Sequence, residues 1–209
     1  MTPSQHRYTP AEYLAYERGV ETKNEFIAGR IVAMSGVSRT HSLINSNLIR
    51  ILGTQLRERP CEGHASRMRV KIPACAVYTY PDLLVVCGES QLEDAEQDTL
   101  LNPTLIVEVV SPATSAYDRG DKFHYYSALP SLQAYLLIAE DQVLLEHFAR
   151  TGDSWLLTYT SDPTAVVQLP TIGCSIPVAE VYKDVPLPAE PPSYATPDGP
   201  IFTPDMDVR

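Results

Sequence analysis

Two short apolar runs that each carry one acidic residue constrain the fold of this chain most strongly. The run Leu105–Val110 (LIVEVV) contains Glu108, and the run YPDLLVV at 80–86 carries Asp82 directly after Pro81. Short runs rich in Val, Leu and Ile predict buried strands. A bare carboxylate costs several kcal/mol in a protein interior, so each acid must be protonated, paired or bound to a cation.

The alternation of side chains along a strand decides what the two acids can do together. We predict strands at 81–87 and 104–110, and each places its acid on one face of the sheet. If the strands are neighbours, one register puts Asp82 beside Glu108, where the anions repel unless a cation or proton lies between them. Mg²⁺ is held by one or two carboxylates with water and substrate phosphate. The pair therefore fits a divalent metal site.

Each acid also has a purely structural interpretation. Asp82 could accept hydrogen bonds from turn amides where the strand begins, after Pro81. Glu108 could form a salt bridge across the sheet with Arg67, Arg69 or Lys71. The spacing of the residues does not decide between these interpretations and a metal site.

Lys122 lies on a helix that we predict at 115–129, between the turn Ser-Pro-Ala-Thr and Pro130. Asp118, Lys122 and Tyr126 are four residues apart and so share a helical face. A lysine near an attacking water can stabilise the charge that builds on a phosphate. Its structural alternative is an exposed ion pair with Asp118, worth about 0.2 to 0.5 kcal/mol.

The rest of the pattern predicts an α/β domain with a central mixed β-sheet flanked by helices, spanning 1–185. Proline-rich residues 186–209 predict a tail with little to bury. The other elements that we predict are helices at 11–18 and 41–57, a hairpin at 25–27 and 30–34, a strand at 67–72, and β segments at 132–139, 142–149, 154–160 and 165–170.

Composition limits the partners and the compartment. The net charge of −10 argues against a protein that binds nucleic acid through a broad basic surface. No apolar window reaches the length of a membrane span and the first residues do not resemble a signal peptide, so we expect a soluble, cytoplasmic protein without membrane contact. The four cysteines form no C-x-x-C pair, and we expect them to be reduced.

In combination, the motifs resemble a known family. YPDLLVV, LIVEVVSPATSAYDRGDKFHYY and LPSLQAYLLI, within roughly 8–185, are similar to the Uma family of restriction-type endonucleases in the PD-(D/E)XK nuclease superfamily, whose fold is restriction endonuclease-like. The resemblance implies that Pro81-Asp82 is the PD of that motif and that Glu108 is its second acid. It implies Mg²⁺ or Mn²⁺ held by Asp82 and Glu108, with the carbonyl of Val109.

The chain departs from the superfamily pattern at two positions. The usual lysine would fall two residues after Glu108, where this chain has Val110, and the resemblance implies that Lys122 replaces it from the next helix. Relatives commonly carry glutamate where this chain has Ala134. Glu25, in the predicted hairpin, matches an acid that the family places near the site.

The resemblance implies hydrolysis of phosphodiester bonds in DNA by Asp82, Glu108, Lys122 and Glu25. We also expect a homodimer. His41 could contact a substrate phosphate from the first turn of its helix, although it could equally cap that helix or fill the edge of the core. Affinity for DNA should be weak and sensitive to salt. A local basic face could come from Arg39, Arg50, Arg57 and Arg59.

Two other interpretations remain open. The chain could keep the nuclease fold as a non-catalytic binding or regulatory module, which the negative charge and Ala134 favour. It could also be a metal-independent structural protein in which Asp82 and Glu108 are only ion-paired.

Overall fold

The computed structural model describes residues 6–34 and 36–188. Within them, helices and two mixed β-sheets form an α/β fold, and a two-stranded sheet lies beside them. The helices are α1 (Pro10–Glu17), α2 (Arg39–Leu56), α3 (Ser115–Tyr117), α4 (Phe123–Ser127) and α5 (Val178–Val181). The strands are β1 (Asn24–Ile27), β2 (Arg30–Ala33), β3 (Cys61–Ala65), β4 (Arg69–Ile72), β5 (Val77–Thr79), β6 (Leu83–Cys87), β7 (Thr99–Leu100), β8 (Leu105–Val110), β9 (Ala134–Ala139), β10 (Leu145–Thr151), β11 (Ser154–Thr160), β12 (Val166–Leu169) and β13 (Cys174–Pro177).

The larger sheet has the strand order β11-β10-β9-β8-β6-β3, and the smaller has the order β2-β1-β5-β4-β7. In the larger sheet, β8 runs parallel to β9 and antiparallel to β6. All six residues of β8 are buried, as expected for a central strand covered on both faces. The prediction of an α/β fold with a mixed sheet and flanking helices is confirmed, with the strands divided between two main sheets.

The register of β6 and β8 brings the two acidic runs together. Leu83 pairs with Val107 and Leu84 with Ile106, so continuing the same antiparallel register by one residue places Asp82 opposite Glu108. Asp82 lies just before the first residue of β6, whereas Glu108 lies within β8. The acids therefore meet where β6 begins, at a point where the sheet opens toward solvent.

Helix α2 covers one face of the larger sheet because its apolar residues recur at helical spacing. Ile44, Leu48, Leu52 and Leu56 are buried in the same apolar cluster as β8 and β9. Ser38 caps the helix by accepting a hydrogen bond from the His41 backbone N–H, at 3.0 Å. This packing fixes the first turn of α2 beside the start of β6.

The helix predicted at 115–129 is interrupted by one π-helical segment, Asp118–Lys122, between α3 and α4. π-helical turns are rare and occur frequently at functional sites. Asp118 and Lys122 are both buried in this segment, so their ion pair is not the exposed one that the helical spacing suggested. The helix ends at Ser127 rather than at 129.

The prediction that all four cysteines are reduced is wrong, because Cys61 and Cys87 form a disulfide. The β3–β6 register places these residues directly opposite one another, and nothing in their spacing along the chain indicates that pairing. Cys75 and Cys174 are free.

Two further observations bear on the sequence predictions. Within the described residues, no helix is both long and apolar enough to cross a membrane. The predicted tail at 186–209 lies outside the described residues from 189 onward. The proposed division at 185 therefore stays a prediction.

Candidate active site

All the residues that the sequence singled out for chemistry line one cleft of about 450 Å³. The cleft lies between the β1–β2 hairpin, the first turn of α2, the start of β6, the end of β8 and the π-helical segment. The predicted residues that line it are Glu25, His41, Asp82, Glu108, Val109 and Lys122.

Two short contacts hold the Asp82 carboxylate at the entrance to β6. The backbone N–H of Val109 donates a hydrogen bond to Asp82 Oδ2 at 2.8 Å. His41 Nε2 lies 2.9 Å from Asp82 Oδ1. The structural interpretation of Asp82 as an acceptor of amide hydrogen bonds is thus partly correct, but the donor is the neighbouring strand. His41 turns its ring toward Asp82, so it neither caps α2 nor fills the core.

Lys122 sits among three carboxylates. Its Nζ lies 2.9 Å from Glu108 Oε1, 3.4 Å from Asp118 Oδ1 and 3.9 Å from Glu25 Oε1. All four side chains are less than a tenth exposed. The predicted salt bridge of Glu108 with Arg67, Arg69 or Lys71 is not formed, because the π-helical segment supplies the cation instead.

A buried hydrogen-bonded chain reaches Glu108 from the other side. The Tyr126 hydroxyl donates to Glu108 Oε1 at 2.8 Å, and it lies 3.0 Å from Thr79 Oγ1. Because the Tyr126 hydroxyl donates its hydrogen bond to Glu108, the Thr79 hydroxyl is the donor to Tyr126. Both polar contacts to Glu108 therefore converge on Oε1, which fixes the orientation of the carboxylate.

Burial controls the protonation of this cluster. Burial raises the pKa of Glu108 to about 8, against the opposing effect of the Lys122 charge. Burial also raises the pKa of Glu25. For Lys122, burial lowers the pKa but the surrounding carboxylates outweigh it and raise the pKa above its usual value. The lysine therefore stays charged, whereas the raised pKa leaves Glu108 mostly protonated at neutral pH unless a bound cation favours its carboxylate.

His41 is also shifted toward its charged form. Burial lowers the pKa of the imidazole, but the hydrogen bond and charge of Asp82 outweigh burial and raise it. A protonated His41 would balance part of the negative charge of Asp82 in the absence of another cation.

The donor set fits a hard divalent cation. Asp82, Glu108 and the backbone of Val109 offer oxygen ligands, which Mg²⁺ and Mn²⁺ prefer, and a bound cation would lower the pKa of Glu108 and so favour its ionised form. Among residues 6–34 and 36–188 there is no group of three His, Cys, Asp or Glu side chains arranged to hold a metal. Any ion bound here would therefore keep coordination positions open for water and substrate, as Mg²⁺ sites usually do.

The sequence did not indicate the roles of several polar residues that lie in the cleft or directly behind it. Asp118 was considered only as half of a surface ion pair, and Tyr126 only as a member of its helical face. The Tyr117 hydroxyl is buried at the cleft without a hydrogen-bond partner within the described part of the chain. The helical spacing of Asp118, Lys122 and Tyr126 was the available signal, but spacing does not reveal which helical face is buried.

The presence of alanine instead of glutamate at position 134 does not change the residues that line the cleft. Ala134 is buried in the apolar cluster that also contains Leu105 and Leu136, and it is not one of the residues that line the cleft. The carboxylate–lysine cluster is complete without it.

Comparison with known proteins gives one consistent result. The model of the Uma2 family, described as "Putative restriction endonuclease", matches residues 10–179. Two proteins of Synechocystis sp. (strain ATCC 27184 / PCC 6803 / Kazusa) are similar over most of their length. Protein sll1609 is 37% identical over 161 residues, covering 77% of this chain and 91% of its own, and slr1290 is 34% identical over 177 residues, covering 85% and 92%.

A solved structure supports the fold independently of close sequence similarity. The crystal structure of a "putative nuclease belonging to DUF820" from Anabaena variabilis ATCC 29413 superposes with a TM-score of 0.69 at 18% identity, covering 83% of this chain and 97% of that one. The likeness shows a shared fold, and the family match covers most of the chain. The chain therefore belongs to the Uma2 family of restriction-endonuclease-like proteins.

Proposed function

We propose that this protein is a divalent-metal-dependent endonuclease that hydrolyses phosphodiester bonds of DNA. The observation that carries the proposal is the position of Asp82, just before β6 and hydrogen-bonded to the Val109 N–H of β8, next to Glu108 with the buried ammonium of Lys122 at 2.9 Å from it. Structural ion pairs rarely surround one lysine with three buried carboxylates, because each carboxylate must be desolvated. A site that binds a cation and an anionic substrate accounts for three acidic side chains around one lysine.

Asp82, Glu108 and the carbonyl of Val109 would hold Mg²⁺ or Mn²⁺. When bound, such an ion supplies Lewis-acid activation of water and neutralises charge on the phosphate. The hydrogen bonds that fix Asp82 to Val109 and Glu108 to Tyr126 keep the two carboxylates in place before the ion arrives.

Lys122 has the role of an electrostatic stabiliser. Because its pKa is raised, it remains an ammonium at neutral pH and has no lone pair with which to accept a proton. Its charge can instead favour the negative phosphate in the transition state. Glu25, 3.9 Å from Lys122 Nζ, can orient a water molecule beside it, and a protonated His41 can donate to a phosphate oxygen while remaining close to Asp82.

Cleavage assays with matched variants test the proposal. Duplex, single-stranded and branched DNA are incubated with wild type, Asp82→Asn or Glu108→Gln, in Mg²⁺, in Mn²⁺ and in EDTA. We expect metal-dependent cleavage by wild type and none by either variant. Glu62→Gln, at a side chain that is 65% exposed, is the control that should cleave normally. Equal cleavage by wild type and Asp82→Asn would refute the site.

A second function is a non-catalytic binding or regulatory module, and the net charge of −10 favours it. Binding of DNA without cleavage by a folded, metal-bound wild type on all three DNA forms would select this function.

We also propose that the protein acts in the cytoplasm as a homodimer. Light scattering on a sizing column measures the molecular mass, and a value near twice 23.1 kDa is the expected result. A mass near 23.1 kDa across the accessible protein concentrations would refute the dimer.

A further inference from the structure

The cleft continues beyond Asp82 as a groove. A second depression of about 530 Å³ shares His41, Tyr80 and Asp82 with the cleft. A third, of about 390 Å³, shares Lys23 and Tyr80 with the second. The three depressions therefore follow one another, from Lys122 at one end to Arg67 at the other.

The balance of charge along this groove changes from one end to the other. The cleft is lined by five acidic side chains with Lys122 and His41, whereas the third depression is lined by four acidic side chains and four basic ones, among them Lys23 and Arg67. Within residues 6–34 and 36–188, no carboxylate oxygen lies within ion-pair distance of the Lys23 ammonium or the Arg67 guanidinium. The two other arginines of the third depression differ, because Arg18 and Arg69 both pair with Asp98.

Lys23 and Arg67 lie close enough to repel one another. Burial lowers the pKa of Lys23, and the charge of Arg67 lowers it further. Lys23 donates one hydrogen bond to the Ser66 carbonyl and lies 5.5 Å from the centre of the Tyr80 ring. An ammonium has three donors, so two remain for a ligand. An anion placed between the two cations would relieve the repulsion and accept those donors.

We propose that Lys23 and Arg67 bind a backbone phosphate of the nucleic-acid substrate that flanks the scissile phosphate along the groove. This inference rests on the proposed nuclease function and adds a second, metal-independent point of attachment. It also gives an acidic protein a local way to hold an anionic strand, because Lys23 and Arg67 form no ion pair with the described residues although acidic side chains line the same depression.

The basic helix face suggested by the sequence is less suitable for this role. Arg50 pairs with Glu180, and Arg59 donates hydrogen bonds to the carbonyls of Gln55 and Gly173. Arg57 lies on a different depression, near Cys61 and Leu83. Arg57 therefore serves as the matched control for Arg67.

The test measures DNA binding separately from cleavage. The Asp82→Asn background removes cleavage under the proposed function, and asparagine retains an oxygen that can accept from Val109. Fluorescence anisotropy with a labelled duplex and with a labelled single strand then gives Kd over a range of salt concentrations. The measurement is made on Asp82→Asn alone and on Asp82→Asn combined with Lys23→Gln, Arg67→Gln or Arg57→Gln.

For duplex DNA, each lost phosphate contact should lower the slope of log K against log salt by about 0.9. We expect that loss for Lys23→Gln and for Arg67→Gln, with little change for Arg57→Gln. Glu21→Gln should tighten binding, because Glu21 lines the same two depressions as Lys23. Thermal melts confirm that each variant is folded.

The outcomes separate this inference from the proposed function. Unchanged slopes in Lys23→Gln and Arg67→Gln, or an equal loss in Arg57→Gln, would overturn the phosphate site even if wild type cleaves DNA. Reduced slopes in a protein whose wild type never cleaves would support the phosphate site and refute the nuclease. No binding of either DNA form at low salt would overturn the inference.

Discussion

Lys122 Nζ lies 2.9 Å from Glu108 Oε1, and neither side chain is more than 8% exposed. The charged lysine is enclosed by three buried carboxyl groups, and burial raises the pKa of two of them, Glu25 and Glu108. Such an arrangement is costly for stability on its own, because desolvation of buried ions can exceed the attraction between them. The cost is understandable if the cluster binds a cation and a phosphate during function.

Replacement of Lys122 by Met should reduce cleavage by about two to three orders of magnitude. The expected size follows from the loss of one preorganised electrostatic donor. Single-turnover cleavage in Mn²⁺ measures it, with melting to check folding and exposed Lys183→Met as control. Asp118→Asn should reduce the rate less, because Asp118 contacts the lysine rather than the phosphate. Full activity in Lys122→Met would remove the lysine from the mechanism.

Mg²⁺ or Mn²⁺ should raise the melting temperature of wild type. An ion that binds only the folded state stabilises it by RT ln(1 + [L]/Kd), about 2.7 kcal/mol at a hundredfold excess over Kd. Asp82→Asn should abolish this increment, whereas Glu62→Gln should keep it. Differential scanning calorimetry with and without the ions measures the shift. An undiminished shift in Asp82→Asn would place the ions elsewhere on the protein.

Tyr126→Phe should weaken metal binding without unfolding the protein. It removes one of the two donors to Glu108 Oε1 and leaves Lys122 as the other, so the loss should be that of one net hydrogen bond, about 0.5 to 1.5 kcal/mol. Isothermal titration with Mn²⁺ measures the affinity. Thr79→Val should have the same effect but smaller, because Thr79 reaches Glu108 only through Tyr126. Equal affinity in wild type and Tyr126→Phe would contradict a positioning role.

Protonation of Asp98 should make the protein less stable in acid. The hydrogen bonds from Arg18 outweigh burial and, with Arg69, hold the pKa of Asp98 well below its usual range. Because the folded state binds this proton less readily than the unfolded state, Asp98 stabilises the fold above about pH 3.9, and the benefit is lost as pH falls toward the folded pKa.

Asp98→Asn should therefore lower the free energy of unfolding at pH 7 by about 1 to 2 kcal/mol, a value reduced for partial exposure, and should reduce the acid sensitivity. Urea unfolding at pH 7 and pH 3 measures both effects. Asp94→Asn is the control, since Asp94 pairs with Arg18 but not with Arg69. The same loss at both pH values in Asp98→Asn would show that its charge is not responsible.

Reduction of the Cys61–Cys87 disulfide should destabilise the protein by about 3.5 kcal/mol, on the chain-entropy estimate for a separation of 26 residues. Unfolding with and without a thiol reductant measures the change. The variant with both cysteines replaced by serine should have the same free energy of unfolding with and without the reductant, close to that of reduced wild type. Indifference of wild type to the reductant would show that the pair does not form in solution.

The elements with strong periodicity were predictable from the sequence. Helix α2 begins two residues earlier than predicted and ends one residue earlier, and β8 begins one residue later and ends as predicted. Strand alternation placed Asp82 and Glu108 on matching faces, and the family resemblance indicated the lysine that lies beside Glu108. Local patterns were sufficient where one face of an element had to be buried.

Other features depend on contacts between distant parts of the chain. Strands β3, β5 and β7 are short, and β3 has mostly polar or small residues, so no periodic signal marks it. The disulfide depends on the β3–β6 register, and the burial of Asp118 depends on how the helix packs. None of these is encoded in the spacing of a single segment.

Because Lys122 ends a π-helical segment, the direction of its side chain depends on the winding of that segment as well as on the number of residues before it. Each residue in an α-helix advances the side-chain direction by about 100°. A change of this segment to ordinary α-helical winding at the same length would turn the lysine and Tyr126 together relative to α3, so both donors to Glu108 would be displaced at once. An insertion in the turn before Ser115 could be absorbed by the turn itself. Two sequences of equal length can therefore differ in whether both donors reach this carboxylate, according to whether the π-helical turn forms.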